Sequence, residues 1–113
     1  MINDELQTWI RAQSKKLTEA YRAPSVTDRE WVYARILKLT EEIGELSAEL
    51  LADSGWQRQD KLETHGEEAI MNEIADVLIC TLLLAEVLKI DPSIALRKKI
   101  AKLDKRFADM EAF

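Results

Sequence analysis

The chain has 113 residues, of which 47% are hydrophobic and 33% charged, and it carries a net charge of −5. These values describe a single folded domain over residues 1–113, exclude a disordered tail, and leave no general basic surface of the kind that displaces counterions from a nucleic acid. One cysteine excludes an intramolecular disulfide and a cysteine-based zinc site, and only 3 Gly and 2 Pro among abundant Ala, Leu, Glu and Lys favour helix over sheet.

The opening segment MINDELQTWIRAQ lacks the basic start and apolar core of a signal peptide, so a cytoplasmic location is expected. A first helix is predicted from Asn3 or Asp4, either of which can cap it, to about Tyr21. Leu6, Trp9, Ile10, Leu17 and Tyr21 approximate one face. Pro24 ends the helix, because the residue before a proline is pushed out of helical geometry. Ser25, Thr27 or Asp28 is then available to cap a second helix from about Arg29 to Asp53.

Val32, Ile36, Leu39, Ile43, Leu46 and Leu50 alternate steps of three and four, which predicts the core seam of that helix. Arg35, Lys38, Glu42, Glu45 and Glu49 form a charged stripe beside it. Gly44 costs roughly 1 kcal/mol relative to Ala at mid-helix, which predicts close backbone approach there. Gly55 is the expected stop. The polar stretch 55–66 reads as a loop, in which His65 is expected to be exposed and Trp56 either stacks on a nucleobase or caps the bundle end.

A third helix is predicted over about Glu67 to Lys89. From Val77 to Leu88 it is apolar around nearly its whole circumference, with Cys80 expected as a buried structural thiol. The run is shorter than the ~20 apolar residues of a membrane span, so no membrane is expected. A buried central helix follows instead, and one short chain has too few helices to surround it. A homodimer at least, or a tetramer, is the expectation. Asp91 and Pro92 start a fourth helix towards Met110, with Leu96, Ile100, Leu103, Phe107 and Met110 as its seam and Lys99, Lys102 and Arg106 as a basic stripe. The predicted fold is all-α: a four-helix bundle, or half of a larger shared one.

Glu42 and Glu45 lie three apart on the second helix, and Glu73 and Asp76 repeat that spacing on the third. Glu42 and Glu45 alone read as a solvated face. Asp76 alters that reading, because it sits among Ile74, Ala75, Val77, Leu78 and Ile79, and a buried carboxylate needs a partner. The partner is a Lys or Arg, or a metal. Four oxygen donors without His or Cys favour Mg²⁺ or Mn²⁺ over zinc or copper, and a di-iron site would call for Glu-x-x-His pairs. Magnesium joined to carboxylates is most often used on substrate phosphates.

With these residues in view, EEIGE at Glu41 to Glu45, the following ELSAEL, and EIAD at Glu73 to Asp76 resemble the EExxE and ExxD signature of the MazG-like, all-α nucleoside triphosphate pyrophosphatases. The segment KLDKRFADME from Lys102 to Glu111 is also similar to the basic tail of that family. The resemblance implies Mg²⁺-dependent cleavage of a nucleoside triphosphate to a monophosphate and pyrophosphate. It makes Glu42, Glu45, Glu73 and Asp76 the metal ligands and Glu41 an auxiliary catalytic acid, while Lys102 and Arg106, with Lys38, contact phosphate. Two positions depart from the family: Ile100 stands where an Asn is frequent, and Cys80 where some members carry Tyr. Both bear on base and sugar recognition. A second reading is a non-catalytic helical dimerisation or adaptor module, in which the carboxylates pair with Arg35, Lys38, Lys102 or Arg106.

Overall fold

The computed structural model describes residues 1–53 and 66–111, and these hold four α-helices and no strand: α1 (Asp4–Tyr21), α2 (Asp28–Asp53), α3 (Glu67–Val87) and α4 (Pro92–Glu111). The all-α class is as expected. Gly55, Trp56, His65 and most of the expected 55–66 loop lie outside the described residues.

Local chemistry explains the helix ends. Asn3 caps α1, its Oδ1 accepting from Leu6 N–H at 2.8 Å. At the start of α2, Glu30 N–H donates to Thr27 Oγ1 at 3.2 Å while Thr27 N–H donates to Glu30 Oε1 at 3.3 Å, a reciprocal capping box. Arg22 ties the connection between them, donating from Nη2 to Val26 O and to Asp28 Oδ1, each at 2.8 Å. Asp91 Oδ1 accepts from Ser93 and Ile94 N–H to start α4. The end of α3 is a Schellman turn: Lys89 N–H donates to Glu86 O, Ile90 N–H donates to Ala85 O, and Lys89 sits at φ 59°.

α3 packs along α2 and, over a shorter length, against α1. Among the described residues the buried apolar side chains are Ile10, Trp31, Ala52 and Leu83. Trp31 is buried, whereas Trp9 is 46% exposed. Among the described residues α4, which follows the Lys89 corner, packs on none of the other helices to a comparable extent, although Ser93 Oγ accepts from Ile2 N–H at 3.0 Å. The expectation that Val77–Leu88 is enclosed on all sides is met on one side only. Leu83 is buried against α1 and α2, while Leu78 is 60% exposed on the face towards α4. Among the described residues nothing lies within 4 Å of a Cβ placed on Gly44, so none of them makes the close approach predicted there.

Candidate metal centre

The helix that carries Glu42 presents a different face to α3 than its apolar pattern suggests. Trp31 and Glu42 are buried on α2, and Arg35, Lys38, Leu39, Leu46 and Glu49 are half-buried around them, while Ile36, Ile43 and Leu50 are each more than 40% exposed. The buried arc is therefore centred on Glu42, and the charged stripe is turned inward. The expected core seam is left straddling the surface, because α3 offers α2 carboxylates as well as apolar groups. Asp76 is the reason in the sequence; Glu73, one turn earlier, shares its face.

Across this contact Glu42, Glu73 and Asp76 each bring one carboxylate oxygen into a group whose members all lie within 4.8 Å of one another. Glu42 is only 7% exposed, and Oε2 of Glu42 and Oε2 of Glu73 are buried with no hydrogen-bond donor. A buried carboxylate oxygen left without a donor is costly and calls for a partner. Lys38 supplies one cation: its Nζ lies 3.2 Å from Oε1 of Glu42 and 3.5 Å from Oε2 of Glu41. The bond to Glu42 holds the Lys38 ammonium above its ordinary pKa.

Glu45 stands at the exposed side of the group, outside the 4.8 Å set. The charge of Glu42 pushes its carboxyl above the ordinary glutamate range. Burial pushes the Glu73 carboxyl up in the same direction, reinforced by the charges of Glu45, Asp76 and Glu42. One proton shared among these groups relieves the crowding; with none, four negative charges face one lysine. The donor set is hard oxygen throughout and partly orphaned, which fits a hard divalent cation. Glu41 is exposed and meets only Lys38 among the described contacts.

Two further side chains share this face. Cys80, one turn beyond Asp76, is half-buried rather than buried, and its thiol is pushed up by burial and by the charge of Glu42, with Arg35 and Lys38 opposing. Arg35 stacks over the Trp31 ring at 5.5 Å from guanidinium carbon to ring centroid, and the described ion pairs give it no carboxylate partner. The sequence offers Arg35 only as an ion-pair partner of the carboxylates in a non-catalytic module, not as a group for substrate. Its position seven residues before Glu42, two turns along the same face, is the signal that marks it. Lys102 and Arg106, by contrast, lie on α4, where among the described residues only that helix, with Lys105, Asp109 and Met110, borders a shallow depression. Within one chain they are not brought to the carboxylates. Trp56 lies outside the described residues.

A family model described as the MazG-like family matches residues 36–111. The chain belongs to the MazG-like family. No curated protein and no solved structure matches it. The MazG-like match takes in Glu42, Glu45, Glu73 and Asp76, together with Lys102 and Arg106 on α4, whereas α1, Trp31 and Arg35 precede it. The carboxylate cluster therefore lies wholly inside the MazG-like segment, and the stacked guanidinium lies just before it.

Proposed function

We propose that this MazG-like protein is a metal-dependent nucleoside triphosphate pyrophosphohydrolase that converts an NTP or dNTP to the monophosphate and pyrophosphate. The observation that carries the reading is the convergence of Glu42, Glu73 and Asp76 with two buried carboxylate oxygens that no donor satisfies. These three residues would hold the ion, with Glu45 completing the set from the open side. Mg²⁺ is the expected ion and Mn²⁺ a substitute. Bound there, the ion would supply positive charge for the phosphates and acidify a water.

The chain's own groups account for the rest. Lys38, beside Glu42, sets a positive charge at the edge of the cluster, where it can donate to a phosphate oxygen. Arg35, stacked and without a carboxylate, offers a second cation on the same face. Glu41 is placed to take up a proton at the exposed rim. Lys102 and Arg106 serve phosphate only if α4 of a second copy, or a movement of α4, carries them to the site. Operation on a nucleotide pool in the cytoplasm, as a homo-oligomer, completes the proposal.

Pyrophosphate release measured across a full NTP and dNTP panel with Mg²⁺ or Mn²⁺ tests it. At least one substrate is expected to turn over, with activity lost in Glu42→Ala and Asp76→Ala. Release from none would end the proposal. The ion pairs of Lys38 with Glu41 and Glu42 favour the second reading, a helical adaptor with structural charges. That reading expects no rise in melting temperature with metal, and simple destabilisation in Glu42→Ala.

A further inference from the structure

Lys38 is the cation that α2 itself sets on the carboxylate cluster. Its Nζ stands 3.2 Å from Oε1 of Glu42, one turn on, and 3.5 Å from Oε2 of Glu41. Among the described residues the other ion pair joins Arg22 to Asp28, remote from these acids in the chain. One positive charge falls short of the cluster's need. Glu42, Glu73 and Asp76 bring three carboxylate oxygens within 4.8 Å of one another, and Oε2 of Glu42 and Oε2 of Glu73 are buried without a donor.

The two partners of the Lys38–Glu42 pair differ in freedom. The Glu42 side chain is 9% exposed, whereas the Lys38 side chain is 43% exposed and ends a flexible four-carbon stem. If one of them yields, it is the lysine. A divalent ion held by Glu42 draws on the same carboxylate, and two cations on one carboxylate repel at a range well inside the screening length of salt. Binding free energies are reciprocal, so whatever factor the ion takes from the Lys38–Glu42 pair, the pair takes from the ion. Glu41 offers the displaced ammonium a second resting place, since it is 58% exposed and already lies within 3.5 Å. A fixed acid, a mobile base and a second acid at the rim are the parts of an exchange.

We infer that Lys38 is the resident counter-ion of the carboxylate cluster and that a divalent ion exchanges with it at Glu42, moving the ammonium out to Glu41 and the open rim. Occupancy by the ion then regulates when Lys38 is free for substrate phosphate, which gives binding an order, ion before nucleotide. This exchange rests on the metal-site reading of the cluster, yet it is measured with the ion and no nucleotide, so it can fail while that reading stands.

Calorimetric titration of Mn²⁺ into the full chain compares wild type with Lys38→Met, Lys38→Arg and Lys15→Met. Lys15, exposed on α1, reports the effect of removing any one positive charge. Lys38→Met should bind Mn²⁺ roughly fivefold or more tighter than wild type. Lys38→Arg, which keeps the charge, should bind no tighter than wild type, and Lys15→Met should match it. Nuclear magnetic resonance of the wild-type chain reads the movement itself and stands even if Lys38→Met fails to fold. The ammonium protons of Lys38, identified by their absence in Lys38→Arg, should exchange with water faster once Mg²⁺ is added. Three results would overturn the inference alone: Mn²⁺ affinity in a folded Lys38→Met equal to or below wild type; equal tightening in Lys15→Met; or Lys38 ammonium exchange unchanged or slowed by Mg²⁺. Mn²⁺ bound by none of the four proteins would overturn it together with the metal-site reading.

Discussion

Glu42 is the residue on which the local balance turns. It is the buried member of a group of like charges, one of its oxygens meets Lys38, and the other meets no hydrogen-bond donor among the described residues. Glu42→Gln removes a negative charge while keeping the shape of the side chain. The apo protein is expected to melt no lower than wild type, the metal-induced rise in melting temperature should vanish, and pyrophosphate release should fall by more than about 100-fold. Thermal melts with and without Mg²⁺ and a turnover assay check the three together. A lower apo melting temperature would instead favour structural ion pairs.

The same residues set a pH dependence. Glu45 and Glu73 have carboxyls raised in the fold, so the folded apo chain binds protons more tightly than the unfolded chain. That contribution is fully present below the ordinary glutamate range and is lost as pH rises through the raised values towards neutrality. Asp28, held low by its bond to Arg22, acts in the opposite direction and only at more acidic pH. Apo melting temperature should therefore fall as pH rises towards neutral, and Mg²⁺ should reverse the fall, since the ion binds the deprotonated carboxylates. Melting curves over a pH series would count against the cluster if apo stability rose instead.

At the scale of the elements, the caps are legible in the sequence and the corner after α3 is not. Asn3, Thr27 with Glu30, and Asp91 are each polar residues placed ahead of an apolar-periodic run, and each caps as its chemistry suggests. Lys89 gives no such sign, although it occupies the left-handed position where glycine is usual. Lys89→Gly should stabilise the chain by about 1 kcal/mol by removing that strain. Gly44 is the converse, a glycine inside a helix with open space about it. Gly44→Ala should stabilise by about 1 kcal/mol. Urea unfolding at fixed protein concentration measures both. A loss of stability in Gly44→Ala would show that another copy approaches α2 there.

For the whole molecule, stability and concentration are linked. A chain with so few buried apolar side chains among its described residues would gain stability by mass action if it self-associates. The apparent melting temperature should rise with protein concentration in the wild type and lose that dependence in Phe107→Glu. Calorimetry over a hundredfold concentration range decides the matter.

The helix starts, the all-α class and the two acid pairs were determined by the sequence alone. Caps, prolines and three-residue spacings act within a turn or two of chain, and no distant residue is needed to read them. Tertiary structure decided which face of α2 is buried. The helix carries an apolar seam and a charged seam side by side, and the arc it buries, centred on Glu42, takes members of both. Tertiary structure also set Arg35 and Cys80 beside the cluster and kept Lys102 and Arg106 away from it. Residues on one helical face can be ranked by periodicity, but the distance between two helices depends on how the chain turns at Lys89 and on what packs between them.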